Sequence, residues 1–144
     1  MFDRKPHWRS IAGATMLLFM GGAAEAATLA VEVKGIRSAS GEVQLDLYDT
    51  ARKHVARKRV PARTGDARVA FSGLAPGGYG VYVYHDENGN GKLDTGGLLR
   101  LPIEGYAFSN DASVRFGPPA MKDLRVDVTA GPAALTQATM KYRR

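Results

Sequence analysis

Arg68-Val69-Ala70-Phe71-Ser72-Gly73-Leu74-Ala75-Pro76-Gly77-Gly78-Tyr79-Gly80-Val81-Tyr82-Val83-Tyr84 decides the fold class. In its first half Val69 and Phe71 alternate with Arg68 and Ala70. In its second half Tyr79, Val81 and Val83 alternate with Gly80, Tyr82 and Tyr84. An apolar period of two belongs to an extended chain with one face turned to a core and the other to water. Pro76-Gly77-Gly78 between the halves is turn chemistry, because proline presets φ and glycine accepts backbone angles closed to other residues. The stretch therefore reads as strand, turn, strand.

The same period recurs on both sides of it. Leu29, Val31 and Val33 alternate with Ala30, Glu32 and Lys34, and Val43, Leu45 and Leu47 with Gln44, Asp46 and Tyr48. Leu124, Val126 and Val128 alternate with Arg125 and Asp127, and a less regular strand is expected at about Leu135 to Tyr142. Gly35, Ser40-Gly41, Gly65-Asp66 and Gly131-Pro132 punctuate these runs as turns. About seven short strands predict an all-β fold, an antiparallel Greek-key β-sandwich. Two stretches break the rhythm. Residues 50–60 are basic and suit a loop, a helical turn or an edge strand, while residues 86–122 form a long irregular insert whose Tyr106, Phe108 and Phe116 argue for ordered packing.

The N-terminal segment is expected to be a cleaved secretory signal peptide spanning residues 1–26. Arg4, Lys5 and Arg9 supply a positive start, Ile11 to Ala24 an interrupted apolar run too short to span a bilayer comfortably, and Ala24 and Ala26 a small-residue cleavage site. Residues 27–144 are then one domain, periplasmic or secreted, with no transmembrane segment. The chain has no cysteine, which excludes a disulfide scaffold, thiolate chemistry and an acylated N-terminal cysteine. Its formal charge is +6. The cluster Arg52, Lys53, Arg57, Lys58 and Arg59 suits an anionic surface or a cell-envelope component. Edge protection of a strand is the favoured reading of it. Nucleic acid is not an expected partner of an exported protein.

The strongest local motif is Asp86-Glu87-Asn88-Gly89-Asn90-Gly91-Lys92-Leu93-Asp94. Side-chain oxygens at loop positions 1, 3, 5 and 9, with glycine at 6, follow the first part of a calcium loop. The expected ligands are Asp86, Asn88, Asn90, the Lys92 carbonyl and Asp94, with Glu104 returning to complete the shell. Position 12 is Gly97, so the usual bidentate carboxylate is missing. With so few charged ligands, Ca2+ binding would be weak, with a Kd of about 10⁻⁴ to 10⁻³ M. The alternative is that Asn88-Gly89 and Asn90-Gly91 only supply positive-φ turns.

Leu74-Ala75-Pro76-Gly77-Gly78-Tyr79 resembles the strand connection of transthyretin-like (prealbumin-like) and carboxypeptidase-regulatory-like sandwiches. Three further phrases follow it in order: His85 to Asp94; Pro102-Ile103-Glu104-Gly105-Tyr106-Ala107-Phe108-Ser109-Asn110; and Phe116-Gly117-Pro118-Pro119. Together they resemble the bacterial domain-of-unknown-function 2141 family. The resemblance implies an exported β-sandwich with no established activity. The chain departs from that pattern at Arg100-Leu101, at Ala107 and at Ala120-Met121.

Catalysis finds little support. No Gly-x-Ser-x-Gly and no zinc-spaced ligand set is present. His85 and Asp86 are neighbours that a strand would turn to opposite faces. Glu104, Ser109 and Asn110 are expected to hydrogen-bond the insert to itself. The expected function is a non-catalytic binding or structural module with a weak Ca2+ loop at 86–94. Two alternatives stand beside it: a small hydrolase using Glu104 and His85 as acid and base, and a carrier of a small apolar ligand held between the sheets.

Overall fold

The computed structural model describes residues 26–144. The segment expected to be an export signal lies outside the described residues except for Ala26. Eight strands build the body: β1 (Ala27–Ile36), β2 (Glu42–Asp49), β3 (His54–Pro61), β4 (Gly65–Leu74), β5 (Gly77–Asp86), β8 (Gly105–Phe108), β9 (Val126–Val128) and β10 (Ala134–Thr139). A small ribbon of β6 (Thr95–Gly96) and β7 (Leu101–Pro102), a 3-10 turn at Ser109–Asp111 and a single helical turn, α1 (Met121–Leu124), complete the chain.

The strands form two sheets. One runs β10-β1-β4; the other runs β3-β2-β5-β8, with β9 also paired to β5. β8 pairs with the Tyr82–His85 end of β5 and β9 with its Gly77–Tyr79 end. Both thus cover one edge of β5. The Leu74-to-Gly77 turn does not close a hairpin: β4 pairs with β1 and β5 with β2, so Pro76 carries the chain from one sheet to the other.

The alternating positions predict the core. Leu29, Val31 and Val33 of β1 and Val69 and Phe71 of β4 pack in one cluster with Val43, Leu45 and Leu47 of β2 and Val81 and Val83 of β5. One apolar layer shared by both sheets is what a sandwich requires, and the all-β expectation is borne out. The basic stretch 54–61 is the edge strand β3, whose charges discourage pairing with another chain.

Three features differ from the simple pattern. β1 and β10 run parallel, joining Leu29 to Ala134 and Lys34 to Thr139, because the chain returns to β1 by a crossover rather than a hairpin. Leu124 belongs to α1, not to a strand, and is buried there with Met121 packed beside Gly80. The stretch 86–122 contains β8, which pairs along β5.

Candidate functional site

Loop 86–94 leaves the end of β5 and is held in shape by its own side chains. The Asp86 carboxylate accepts the backbone N–H groups of Asn90 (3.0 Å) and Gly91 (2.6 Å). Asn88 Oδ1 accepts the N–H of Asn90, and Asn90 Oδ1 that of Lys92, each at 3.0 Å. Gly89 and Gly91 take φ values of 74° and 79°, which glycine adopts without steric cost. The amides of Asn88 and Asn90 both donate to the Asp94 carboxylate, the latter at 2.7 Å to each oxygen. These bonds hold the Asp94 carboxyl below its ordinary pKa.

Side chains at positions 3, 5 and 9 therefore converge on one point. Amide nitrogen and oxygen are interchangeable in shape, so turning either amide would present oxygen there, a donor set suited to a hard cation. Formal charge is limited to Asp86 and Asp94, and among the described residues no group of three His, Cys, Asp or Glu side chains is placed to hold a metal. Glu104 accepts the N–H groups of Glu87 and Asp94, both at 3.0 Å. It ties the loop to the chain that returns into β8. Glu104, Asp94, Asn88 and Glu87 share a cleft of about 370 Å³. Glu87 faces Arg37 in a two-point pair (2.8 and 2.6 Å), which holds its carboxyl below the ordinary range.

His85 is fully buried. Its Nε2–H donates to the Ser40 carbonyl at 2.7 Å, since a carbonyl can only accept. Nδ1 lies 2.9 Å from the Tyr142 hydroxyl, which in turn accepts the Arg37 N–H. Both ring nitrogens are thus used, Nε2 joining β5 to the turn between β1 and β2 and Nδ1 joining it to the C-terminal segment, and no hydrogen bond joins His85 to Glu104 among the described residues. Ser109 and Asn110, expected to bond the insert to itself, instead tie it to neighbouring elements: Ser109 Oγ accepts from Val81 of β5 and donates to the Leu124 carbonyl, and Asn110 donates to the carbonyls of Asp123 and Arg125.

Gly105 makes room for this arrangement, because a Cβ there would lie 2.1 Å from the Tyr142 ring. Gly105→Ala is expected to displace Tyr142 from His85 and to lower stability by about 1–2 kcal/mol. Urea unfolding measures the loss, and the Tyr142 ring resonances report the displacement.

The outer face of the β3-β2-β5-β8 sheet holds a site that sequence reasoning misses. Alternation assigns this face to water, yet Gln44 and Asp46 on β2 are only 1% and 5% exposed. Long side chains from the flanking strands cover them. Arg57 grips Asp46 through Nε (2.6 Å) and Nη2 (3.1 Å), His54 Nε2 donates to it at 3.0 Å, and Gln44 at 3.3 Å. Arg59 donates to Gln44. Beside this network runs a row of rings: Tyr48 to Tyr82 at 5.0 Å, Tyr82 to Phe108 at 5.0 Å, and Phe108 to Tyr106 at 5.9 Å between centroids. Such spacings are those of favourable aromatic pairs. Two segments of the insert, 93–102 and 114–118, stand over Tyr82, Tyr106 and Phe108 and enclose a groove of about 500 Å³. The one sequence signal for this face is the pair of tyrosines, Tyr82 and Tyr84, on the polar side of the 79–84 alternation. Their partners on β8 come from the insert.

Comparison with known proteins returns a family without an assigned activity. The family model described as an uncharacterised protein conserved in bacteria (DUF2141) matches residues 31–136. No curated protein and no solved structure matches the chain.

Proposed function

The chain belongs to the DUF2141 family of uncharacterised bacterial proteins, and from its site we propose an exported, non-catalytic binding module, periplasmic or secreted, whose loop 86–94 takes up Ca2+. One observation carries the reading: the side chains of Asn88, Asn90 and Asp94 meet within hydrogen-bond distance, while Asp86 is pinned by the amides of Asn90 and Gly91. Asp86, Asn88, Asn90 and Asp94 would supply side-chain oxygens, and Lys92 its carbonyl. Glu104 supports the site as the clamp on Asp94. A cation between these groups would take the place of the amide donors at the Asp94 carboxylate and tie the insert to β5. Export is supported by the charged, apolar and small-residue pattern of residues 1–26. No helix among the described residues is long and apolar enough to cross a membrane. The non-catalytic reading draws support from His85 and Glu104, whose polar atoms serve separate structural contacts.

Calorimetric melting with calcium and with chelator tests the reading. At a calcium concentration ten times Kd, linkage adds about 1.4 kcal/mol, which raises Tm by several degrees for a domain of this size. Asp94→Asn should weaken the response strongly. Identical melting in millimolar calcium and in chelator sinks the proposal and leaves loop 86–94 as a turn.

A further inference from the structure

The groove over the aromatic row has the chemistry of a ligand site separate from the calcium loop. Its floor is Tyr82, Tyr106 and Phe108, held in place by β5–β8 pairing. Arg52 donates to the Tyr82 hydroxyl at 2.9 Å and to the Pro119 carbonyl, fixing one ring of the floor and the end of the second insert segment together. Its walls are apolar but unburied: Leu99 is 77% exposed and Phe116 fully exposed, with Val114 and Leu101 also open. Six of the eight large exposed apolar side chains among the described residues lie on the insert. A contiguous apolar surface left open to water marks an interaction site. The volume falls within the roughly 300–1,000 Å³ of small-molecule pockets.

Charge selects the occupant. Of the residues lining the groove, the charged ones are Arg100 and Arg115; no carboxylate lines it. Neither guanidinium makes a side-chain hydrogen bond or ion pair among the described residues. Each is flanked in sequence by apolar residues of its own segment, in Leu98-Leu99-Arg100 and in Val114-Arg115-Phe116. Arg100 is held there at φ 46°, a backbone conformation that side-chain-bearing residues rarely take. Guanidinium groups present paired N–H donors that match a carboxylate, and the rings and aliphatic walls suit an apolar body.

We propose that this groove binds a small amphipathic carboxylate, its aliphatic body lying on Tyr82, Tyr106 and Phe108 and its head group met by Arg100 and Arg115. The site depends on neither calcium nor the catalytic status of the chain.

Titration of the protein with decanoate, kept monomeric and followed by NMR, tests it. Decanoate should saturate and shift resonances of Tyr82, Phe108 and Phe116, at least tenfold more tightly than decyltrimethylammonium, and acetate should not bind. Arg100→Gln with Arg115→Gln should weaken decanoate roughly tenfold while leaving Tm and the binding of the cationic analogue unchanged. Equal affinity for the two head groups, shifts mapping away from the groove, or no binding at all overturns the proposal. Two further results overturn it as well: binding only to phosphatidylglycerol vesicles, which would make the apolar tips a membrane-docking surface, and self-association that buries Phe116 without ligand.

Discussion

Gly41→Ala is expected to cost roughly 3–5 kcal/mol, enough to remove much of the stability of a domain of this size. Two effects add. Gly41 sits at φ 67°, where a side chain is strained by about 1–2 kcal/mol. A Cβ would also lie 1.9 Å from the carbonyl oxygen of Asp86 and 2.9 Å from its carbonyl carbon. That neighbour is backbone at the end of β5, and it cannot turn aside as a side chain could. The start of β2 or the end of β5 must move, although Gly41 also accepts the Ala62 N–H across to the end of β3. Gly35 provides the control, since it has φ 71° and a methyl group there would meet nothing within 4 Å. Gly35→Ala should lose only the strain, about 1–2 kcal/mol. Equal losses in urea unfolding of the two variants would show that the close approach to Asp86 is unimportant. Because Asp86 opens loop 86–94, Gly41→Ala should also diminish the proposed calcium response.

The second large effect is expected at Asp46. Asp46→Ala should lower stability by roughly 2–3 kcal/mol at pH 7, the scale of charge-assisted hydrogen bonds to a buried group. The larger penalty for stranding a fully buried charge does not apply, since Arg57 and His54 keep close to half their side-chain surface in water and can turn outward.

The same site contributes to acid sensitivity. Burial pushes the Asp46 carboxyl up, but hydrogen bonds from Arg57, His54 and Gln44 together outweigh it and hold it below the ordinary value. A carboxyl with a depressed folded pKa stabilises the fold fully above its unfolded value, about 3.9. That contribution disappears as pH falls through the folded pKa. The parent protein should therefore lose stability below about pH 4, and the gap between it and Asp46→Ala should narrow there. Urea unfolding of both proteins at pH 7 and below pH 3 measures this, and a gap that stays constant would place the effect in packing rather than in charge. Glu87 and Asp94, also held low by Arg37 and by the two asparagine amides, act in the same direction.

How far the site is legible follows from the range of the interactions that build it. Loop 86–94 closes on itself within a few residues, so its glycines and its side-chain oxygens can be placed from spacing alone. Glu104 is a different case. Its chemistry marks it as a ligand, while its two bonds to Glu87 and Asp94 depend on β8 pairing back along β5. Asp46 looks like a water-facing strand residue because nothing nearby in sequence covers it. Arg57 and His54 reach it only because β3 folds back beside β2, in a register that sets Asp46 opposite Arg57. The groove depends on two separated segments of the insert meeting over rings from β5 and β8, which no local pattern encodes.

The sequence by itself determined strands β1, β2, β4 and β5, their core-facing residues and the turn that parts Phe71 from Tyr79, because alternation and turn chemistry act between neighbours along the chain. It also determined the calcium-type loop as a candidate, for the same reason. Only the tertiary structure decided that β10 lies parallel to β1, that Pro76 leads from one sheet to the other, and that Tyr82 and Phe108 share an aromatic face. Those outcomes depend on pairings between residues distant in sequence. Their register is set by which faces can be buried together, and that exists only once the two sheets have met.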